Sequence, residues 1–539
     1  HTVSAVSRFF HVALACTILA NIALGQGNPW FGEDALVLSR GMVRLGFAPT
    51  WTRFDQRYRA DGDAEPLAID LSIDTLGVSR FSTLAPLERN LRGLTGDSDL
   101  RISLGRTRAD QDVSVLTVPF SAELGIGTRL SLGVMVPIVR TRSQVWFSPN
   151  GALNEGNVGI NPALDSQSDR AQNAELLRQF GSAIGALASL IEDCADPSNP
   201  DPRCPQARTP EAEAFLSEAE EFASGLGETY STLSPFVAIE GSAIDSVIRA
   251  RIASLGESFA AFDINDITSS GPAGATIAGF EDFTRILTDS TFGLQAQPFS
   301  TRTRTNVGDI EVGAKFQLLN TVRRDTLGRY GGGVRVALAG IFRAGTGRAD
   351  DPDDFADIPT GDGQHDVEAR TYWDLLFGRH FALGILGRYT VQLPDREIAR
   401  IAEPHQIFVP YWRRQEVERD LGDIIDAEIT PRIAFGDFFS FMAQYRVRRK
   451  AEDRHTGRFN TTDDLGEPVT LDASVLDLET EQREDRVTIG LGYSTLASAA
   501  RRRSRIPLEI IIQYGESIRG SGGRTPKVSV GVMNVRVWF

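Results

Sequence analysis

Apolar side chains recur at every second position along most of this chain. Val43, Leu45, Phe47, Pro49 and Trp51 fall on one face of a first segment, and Ile69, Leu71 and Ile73 on one face of a second, with Asp70, Ser72 and Asp74 opposite. Leu100, Ile102 and Leu104 follow, then Leu116 to Leu124, a Gly125–Thr128 turn, and Leu130 to Ile138. After a long interruption the alternation resumes at Ile310 and runs through segments near 334–342, 371–377, 381–389, 425–435, 439–447, 487–493 and 508–514. It ends in Met533, Val535, Val537 and Phe539, with Asn534 and Arg536 between them. Period-2 alternation predicts half-buried strands, and the repetition predicts about fourteen of them, an even number.

Connector lengths turn strands into a barrel. Short turns at Gly125–Thr128, Gly378–His380 and Gly436–Phe438 alternate with long polar stretches near 346–366, 393–422 and 453–482. Short turns at one end and long loops at the other are the asymmetry of an outer-membrane barrel, whose lipid face is apolar and whose lumen face tolerates charge. The expected fold is therefore all-β, a transmembrane antiparallel barrel. A closing strand ending in an aromatic makes Val535, Val537 and Phe539 the candidate assembly signal.

The interruption has a different period. Leu176, Leu177, Phe180, Ile184, Leu187 and Ile191 are spaced as on a helix, as are Phe215, Leu216, Ala219, Phe222 and Leu226, and again Ile244, Val247, Ile248, Ile252 and Leu255. Thr209-Pro210-Glu211 is a helix start. Residues 148–304 are thus expected to form an α-helical insert, extracellular or folded into the barrel mouth. The remaining divisions are a signal peptide at 1–25, with Arg8 before an apolar run, a short periplasmic segment at 26–40, and barrel strands at 41–147 and 305–539.

Composition refines this picture. A 41% hydrophobic content looks soluble, and beyond the N-terminus there is no run of about 18 apolar residues to make a helical span; a barrel hides in such a composition. The net charge of −15 argues against nucleic acid as a partner. Lys315, Lys450 and Lys527 are the three lysines among 56 basic residues, so any internal charge ladder is built from Arg. Cys16 sits in the leader, where a lipoprotein reading is the minor alternative. Cys194 and Cys204 then read as one disulfide in an exported chain.

The expected lumen face is rich in charge: Arg101, Glu123, Asp309, Glu311, Lys315, Arg335, Arg343, Arg370 and Asp374, then Arg388, Asp426, Glu428, Arg432, Arg446, Arg486, Glu509 and Arg536. Charges of both signs in such a place pair or stay hydrated, giving either a salt-bridge lattice or a selective polar conduit. Pro119 and Pro137 lie on adjacent strands, and each removes a ladder donor. They are a candidate lateral gate, or else a tolerated bulge.

Catalytic and metal signals are weak. Gly96-Asp97-Ser98-Asp99-Leu100 and Gly515-Glu516-Ser517 only approximate nucleophile motifs. His365, His380, His405 and His455 are scattered without metal spacing. Asp351, Asp353 and Asp357 lie in an acidic loop and are a weak Ca²⁺ candidate. No cofactor and no enzymatic activity are expected.

The stretches Val118–Val139 and Val307–Leu319 resemble recurrent segments of outer-membrane proteins linked to phenol meta-cleavage pathways, a family grouped with FadL-like transporters. The resemblance implies passage of hydrophobic compounds across the outer membrane of a Gram-negative-type bacterium. The Asn-Pro-Ala motif of the fatty-acid transporters is not seen near the N-terminus; Asn161-Pro162-Ala163 lies in the insert. The expected function is a channel for passive passage of small hydrophobic or aromatic solutes. A surface receptor or adhesion protein using the insert, with the barrel as anchor, is the alternative, and an outer-membrane hydrolase is third. The expected partners are outer-membrane lipid, the barrel-assembly machinery and a small solute, and the chain is expected to be a monomer.

Overall fold

The computed structural model describes residues 34–151, 156–323, 331–403, 405–500 and 506–539. The expected signal peptide at 1–25, with Cys16, lies outside the described residues. Twelve antiparallel barrel strands close on themselves. They are β1 (Val43–Phe47 and Thr50–Phe54), β2 (Thr107–Gly125), β3 (Leu130–Pro149) and β4 (Arg302–Val307 and Ile310–Asn320). Next come β5 (Gly333–Ala344), β6 (Asp366–Phe377), β7 (Phe381–Gln392) and β8 (Ile424–Phe435). β9 (Phe439–Lys450), β10 (Gln482–Ser494), β11 (Leu508–Ser521) and β12 (Ser529–Trp538) complete the wall. β12 pairs with β11 on one side and with β1 on the other, with Arg44 opposite Trp538 and Phe47 opposite Val535. Phe539 and Val43 exchange backbone hydrogen bonds at 2.8 and 3.1 Å, sealing the seam at its lower end.

Twelve is two fewer than the alternation suggests. Ile69–Leu71 is a turn of 3₁₀ helix, and residues 100–104 run without a strand partner, although both alternate. Their apolar residues Leu71, Ile73, Ile102 and Leu104 are buried in a core above the barrel rather than facing lipid. A three-residue alternation cannot tell these situations apart.

The outward face is apolar. Phe120, Leu132, Val136, Phe316, Leu338, Trp373, Ile385, Ile429, Ile489 and Ile512 are all exposed there. Water-exposed apolar area on this scale is unfavourable, at roughly 25 cal/mol per Å², so this face belongs in hydrocarbon. Phe377, Phe381, Phe435, Phe439 and Tyr493 ring the end with the short turns, and Trp51, Tyr389, Tyr445 and Tyr514 the opposite side of the belt. These are the two aromatic girdles of a membrane-crossing barrel. The five longest connectors, each above 20 residues, all leave from the second end, which is the outer one.

Above that end sits a cap with one continuous apolar core. Its helices are α1 (Ala85–Thr95), α2 (Gln167–Asp193), α3 (Pro210–Tyr230), α4 (Ala243–Ala260) and α5 (Phe280–Thr288). Ser166 and Ser242 cap α2 and α4 by accepting from the backbone N–H of Asp169 and Asp245. Leu176, Phe180 and Leu187 of α2 meet Ala219, Phe222 and Leu226 of α3, and Ile248, Ile252 and Phe259 of α4 share the same core. α1 comes from the β1–β2 connector, opened by Pro86, and packs Leu87, Leu91 and Leu94 against α3 and α4. Phe355 and Phe408, from two further connectors, complete the core. Cys194 and Cys204 form the disulfide at the end of α2.

Candidate functional site

The inward faces of the strands carry paired charges at several levels. Near the lower end Arg44 pairs with Glu123, Arg335 lies 3.7 Å from Asp374, and Arg536 lies 3.2 Å from Glu509. The chain's own N-terminal segment enters here. Asp34 accepts from Lys315 Nζ at its backbone carbonyl at 2.5 Å, Ala35 donates its N–H to Asp374 at 3.0 Å, and Leu38 donates to Ser131 Oγ at 3.0 Å. Ala35 is fully buried among Met135, Ala337, Ile341 and Tyr372. Residues Asp34–Leu38, expected in the periplasm, therefore lie inside the barrel.

Higher up, Arg343 bridges Glu311, Asp366 and Glu368 at 3.1, 2.8 and 3.2 Å, and Arg370 pairs with Glu368. Arg388 holds Glu428 at 2.5 Å, Arg446 holds Asp426 at 2.6 Å, and Arg486 holds Glu484 at 2.7 Å. Arg432 sits half-buried on the inward face of β8. Arg101 is not in the lumen at all: it lies in the cap connector, its side chain 68% exposed. The strand that would have carried it inward does not form.

The charges are packed, not solvated. Lys315 and Glu311 are 0% exposed, and Arg44, Glu123, Arg370 and Glu428 no more than 3%. A wide aqueous pore would leave such groups wet. Glu123, Glu311, Glu368, Asp426 and Glu428 instead face guanidinium, which meets the requirement that buried charge be paired. The loop between β5 and β6 folds into the mouth, where Asp309 accepts from Gly347 N–H at 2.8 Å. Gly361 approaches so closely that a Cβ there would lie 2.5 Å from the Asp309 carboxylate. Beneath this loop a polar cavity of about 60 Å³ is lined by Asp362, Asp366, Glu368, Arg388, Asp426 and Arg446, among others. It has room for water, not for an organic solute.

The wall itself has a weak level. Pro119 and Pro137 are direct cross-strand partners. Pro119 O accepts from Ala48 N–H at 3.3 Å and Pro137 O accepts from Gly308 N–H at 2.9 Å, so their backbone edges point away from each other. The missing N–H of Pro119 is thus lost to β1, and that of Pro137 to β4. β1 is broken at Ala48–Pro49 and β4 at Gly308–Asp309, the places that face the missing donors. Sequence reading located the two prolines; the coincident breaks in two flanking strands needed the register. A Cβ on Gly308 would come within 2.8 Å of Val139 and 3.1 Å of Pro137.

The remaining sequence candidates are structural. Gly96 is the left-handed cap of α1, at φ 70°, and leads into an exposed loop. Ser517 donates to Glu484 and accepts from Val528 N–H. Asp353 is taken by Arg400 and Arg414 at 2.8 and 2.7 Å, and Asp357 by Arg348 and by Arg304 at 3.1 Å. Among the described residues no three His, Cys, Asp or Glu side chains are grouped to hold a metal, and arginines neutralise Asp353 and Asp357 of the acidic loop. Among lumen charges, sequence reading passed over Arg44, Asp366 and Glu368, although each alternates with an outward neighbour on its strand.

No family model and no curated protein matches the chain. Among solved structures it is similar to an outer membrane channel from Pseudomonas putida F1, with 8% identity over 94% of this chain and 98% of that one, at a TM-score of 0.39. The toluene transporter TbuX of Ralstonia pickettii gives 9% identity over 95% and 91%, at 0.29. The translocator domain of the autotransporter NalP from Neisseria meningitidis gives 7% over 96% and 92%, at 0.27. Overlaps this loose carry no argument about activity.

Proposed function

We propose that the protein is an outer-membrane transporter for small apolar or aromatic solutes, which leave the barrel sideways through the Pro119–Pro137 level of its wall. The observation that carries this reading is the contrast between axis and wall. Along the axis, among the described residues, buried ion pairs, the N-terminal segment and the β5–β6 loop fill the lumen at the levels described above. In the wall, the two ladder interfaces flanking the β2–β3 hairpin each lack one donor at one height, that of Pro119 toward β1 and that of Pro137 toward β4. A solute that leaves there enters hydrocarbon directly and never crosses the charged lattice below.

The test is uptake of a labelled monoaromatic hydrocarbon into cells or vesicles carrying the Pro119→Val, Pro137→Val double variant. Restored ladder donors should slow uptake several-fold in a barrel that still folds. Normal uptake in a folded double variant would remove the lateral route. The second reading, a surface receptor anchored by a closed barrel, is supported by the large cap. It would be favoured by absence of uptake in both forms together with silence in planar-bilayer conductance.

A further inference from the structure

The outward face of the β1–β3 wall changes chemistry row by row above the hydrocarbon belt, and the cross-strand register fixes each row. Val118 and Ile138 form the last wholly apolar row. Above them lie Trp51, Leu116 and Arg140. An exposed indole beside a cation is the composition of a headgroup interface. Arg140 is exposed and makes no ion pair among the described residues. The next rows are Arg53, Ser114 and Arg142, then Asp112 and Gln144, then Asp110 and Trp146. These upper rows line a groove of about 770 Å³.

The contents of the groove narrow its ligand. Arg53 donates to Asp112 through Nε at 3.0 Å while its side chain stays 72% exposed, and Arg142 reaches Gln144 at 3.5 Å. Guanidinium, carboxylate, amide and hydroxyl groups alternate, with charges of both signs. That set suits neutral hydroxyls, which both donate and accept, better than a polyanion. Trp146 stands at the top, 57% exposed, on a strand position where its neighbours Arg142 and Gln144 are polar. A flat, exposed indole beside paired hydrogen-bonding groups fits the C–H face of a sugar ring.

We propose that this groove holds the saccharide portion of an outer-leaflet glycolipid whose acyl chains lie on the apolar belt below. Position selects the lipid-borne source over a free sugar. The groove is the upward continuation of the lipid-facing side of β2 and β3, bordered by Asp55, Gln56 and Pro66 of the β1–β2 connector. Ile138 to Trp146 spans roughly 26 Å of strand at about 3.3 Å per residue. At a tilt of about 40° that is about 20 Å above the hydrocarbon edge, the height of headgroup sugars. Arg140, between the two zones, stands where a headgroup phosphate would lie.

The proposal is independent of the transport reading and is tested on the full-length protein in detergent. Binding would be measured for three probes: lipopolysaccharide carrying core sugars, lipid A without them, and the free core oligosaccharide. The protein should bind the first more tightly than either of the others. Trp146→Ala with Arg142→Gln should weaken it by about tenfold or more, the scale of losing an aromatic anchor. Gln144→Ala alone, at an exposed position, should weaken it less. Heat-modifiable migration would report that each variant folds. Equal binding by wild type and the folded double variant would overturn the site. Equal binding of lipid A without sugars would overturn the saccharide assignment, and equal binding of the free oligosaccharide would overturn the lipid-borne source.

Discussion

Replacing Arg400 with Ala should loosen the cap without unfolding the barrel. The Arg400 side chain is 2% exposed and ties three connectors together. It donates to Leu294 O at 2.8 Å and Gln295 O at 3.3 Å in the large insert, to Val409 O at 2.7 Å, and to Asp353 at 2.8 Å. Its guanidinium also lies over Phe355 and Tyr411, at 5.4 and 5.6 Å from the ring centroids. Breaking a buried charge pair from one side costs about 3–5 kcal/mol. Asp353 keeps Arg414 at 2.7 Å, so no carboxylate is stranded and the lower end applies. About 3 kcal/mol corresponds to roughly a hundredfold rise in the local opening constant. Amide hydrogen exchange read by mass spectrometry should therefore show lost protection in peptides covering 280–299, 353–358 and 400–409, with β5 to β12 unchanged. Arg396→Ala removes an exposed pair with Glu418 and should change protection little. Unchanged protection in those peptides, or equal losses throughout the barrel, would refute the reasoning.

Three further expectations follow from the same contacts. Phe539→Asp puts a charge at the lipid-facing end of the closing strand and should impair assembly; normal heat-modifiable, surface-exposed protein would count against the closing role. Burial alone would lower the pKa of His455, but hydrogen bonds to Glu397 and Asp477 outweigh it and hold it above its usual value. Its contribution is therefore fully present below the unfolded pKa of about 6.5 and lost as pH rises through the raised folded value. Protection in the sheet formed by 395–400, 414–420 and 454–456 should fall as pH rises above about 6.5 through the raised folded value, and His455→Gln should abolish that dependence. Reducing Cys194–Cys204, which closes a loop of sequence separation 10, should destabilise the cap by about 2–3 kcal/mol. Circular dichroism should show helix melting earlier while the strand signal persists.

Much of the barrel was legible because alternation is a local property. The runs from Leu116, Leu130, Phe381, Phe439 and Val487 each carry enough repeats to specify a strand and its two faces. Ile69–Ile73 and Leu100–Leu104 carry too few, and there the demand of the cap core for apolar residues decided the backbone instead. The helix spacing of Leu176–Ile191 marked α2, but nothing local said that α1, from another connector, would pack beside α3 and α4. The inward charges were visible as a set, whereas their pairing was not. Arg343 meets Glu311 across 32 positions and Asp366 across 23, distances over which a sequence pattern holds no information.

By itself, then, the sequence determined a membrane-crossing barrel, an apolar belt, a charged interior and a helical insert, since side-chain period and polarity follow from residue order alone. Only the tertiary structure decided that the barrel closes with twelve strands, that Asp34–Leu38 occupy the lumen, and that separate connectors share one cap. The same is true of the weak level in the wall. Pro119 and Pro137 are readable as missing donors, but a missing donor weakens a wall only through what stands opposite it. Register places the breaks of β1 and β4 there, and register is set by closing the whole ring.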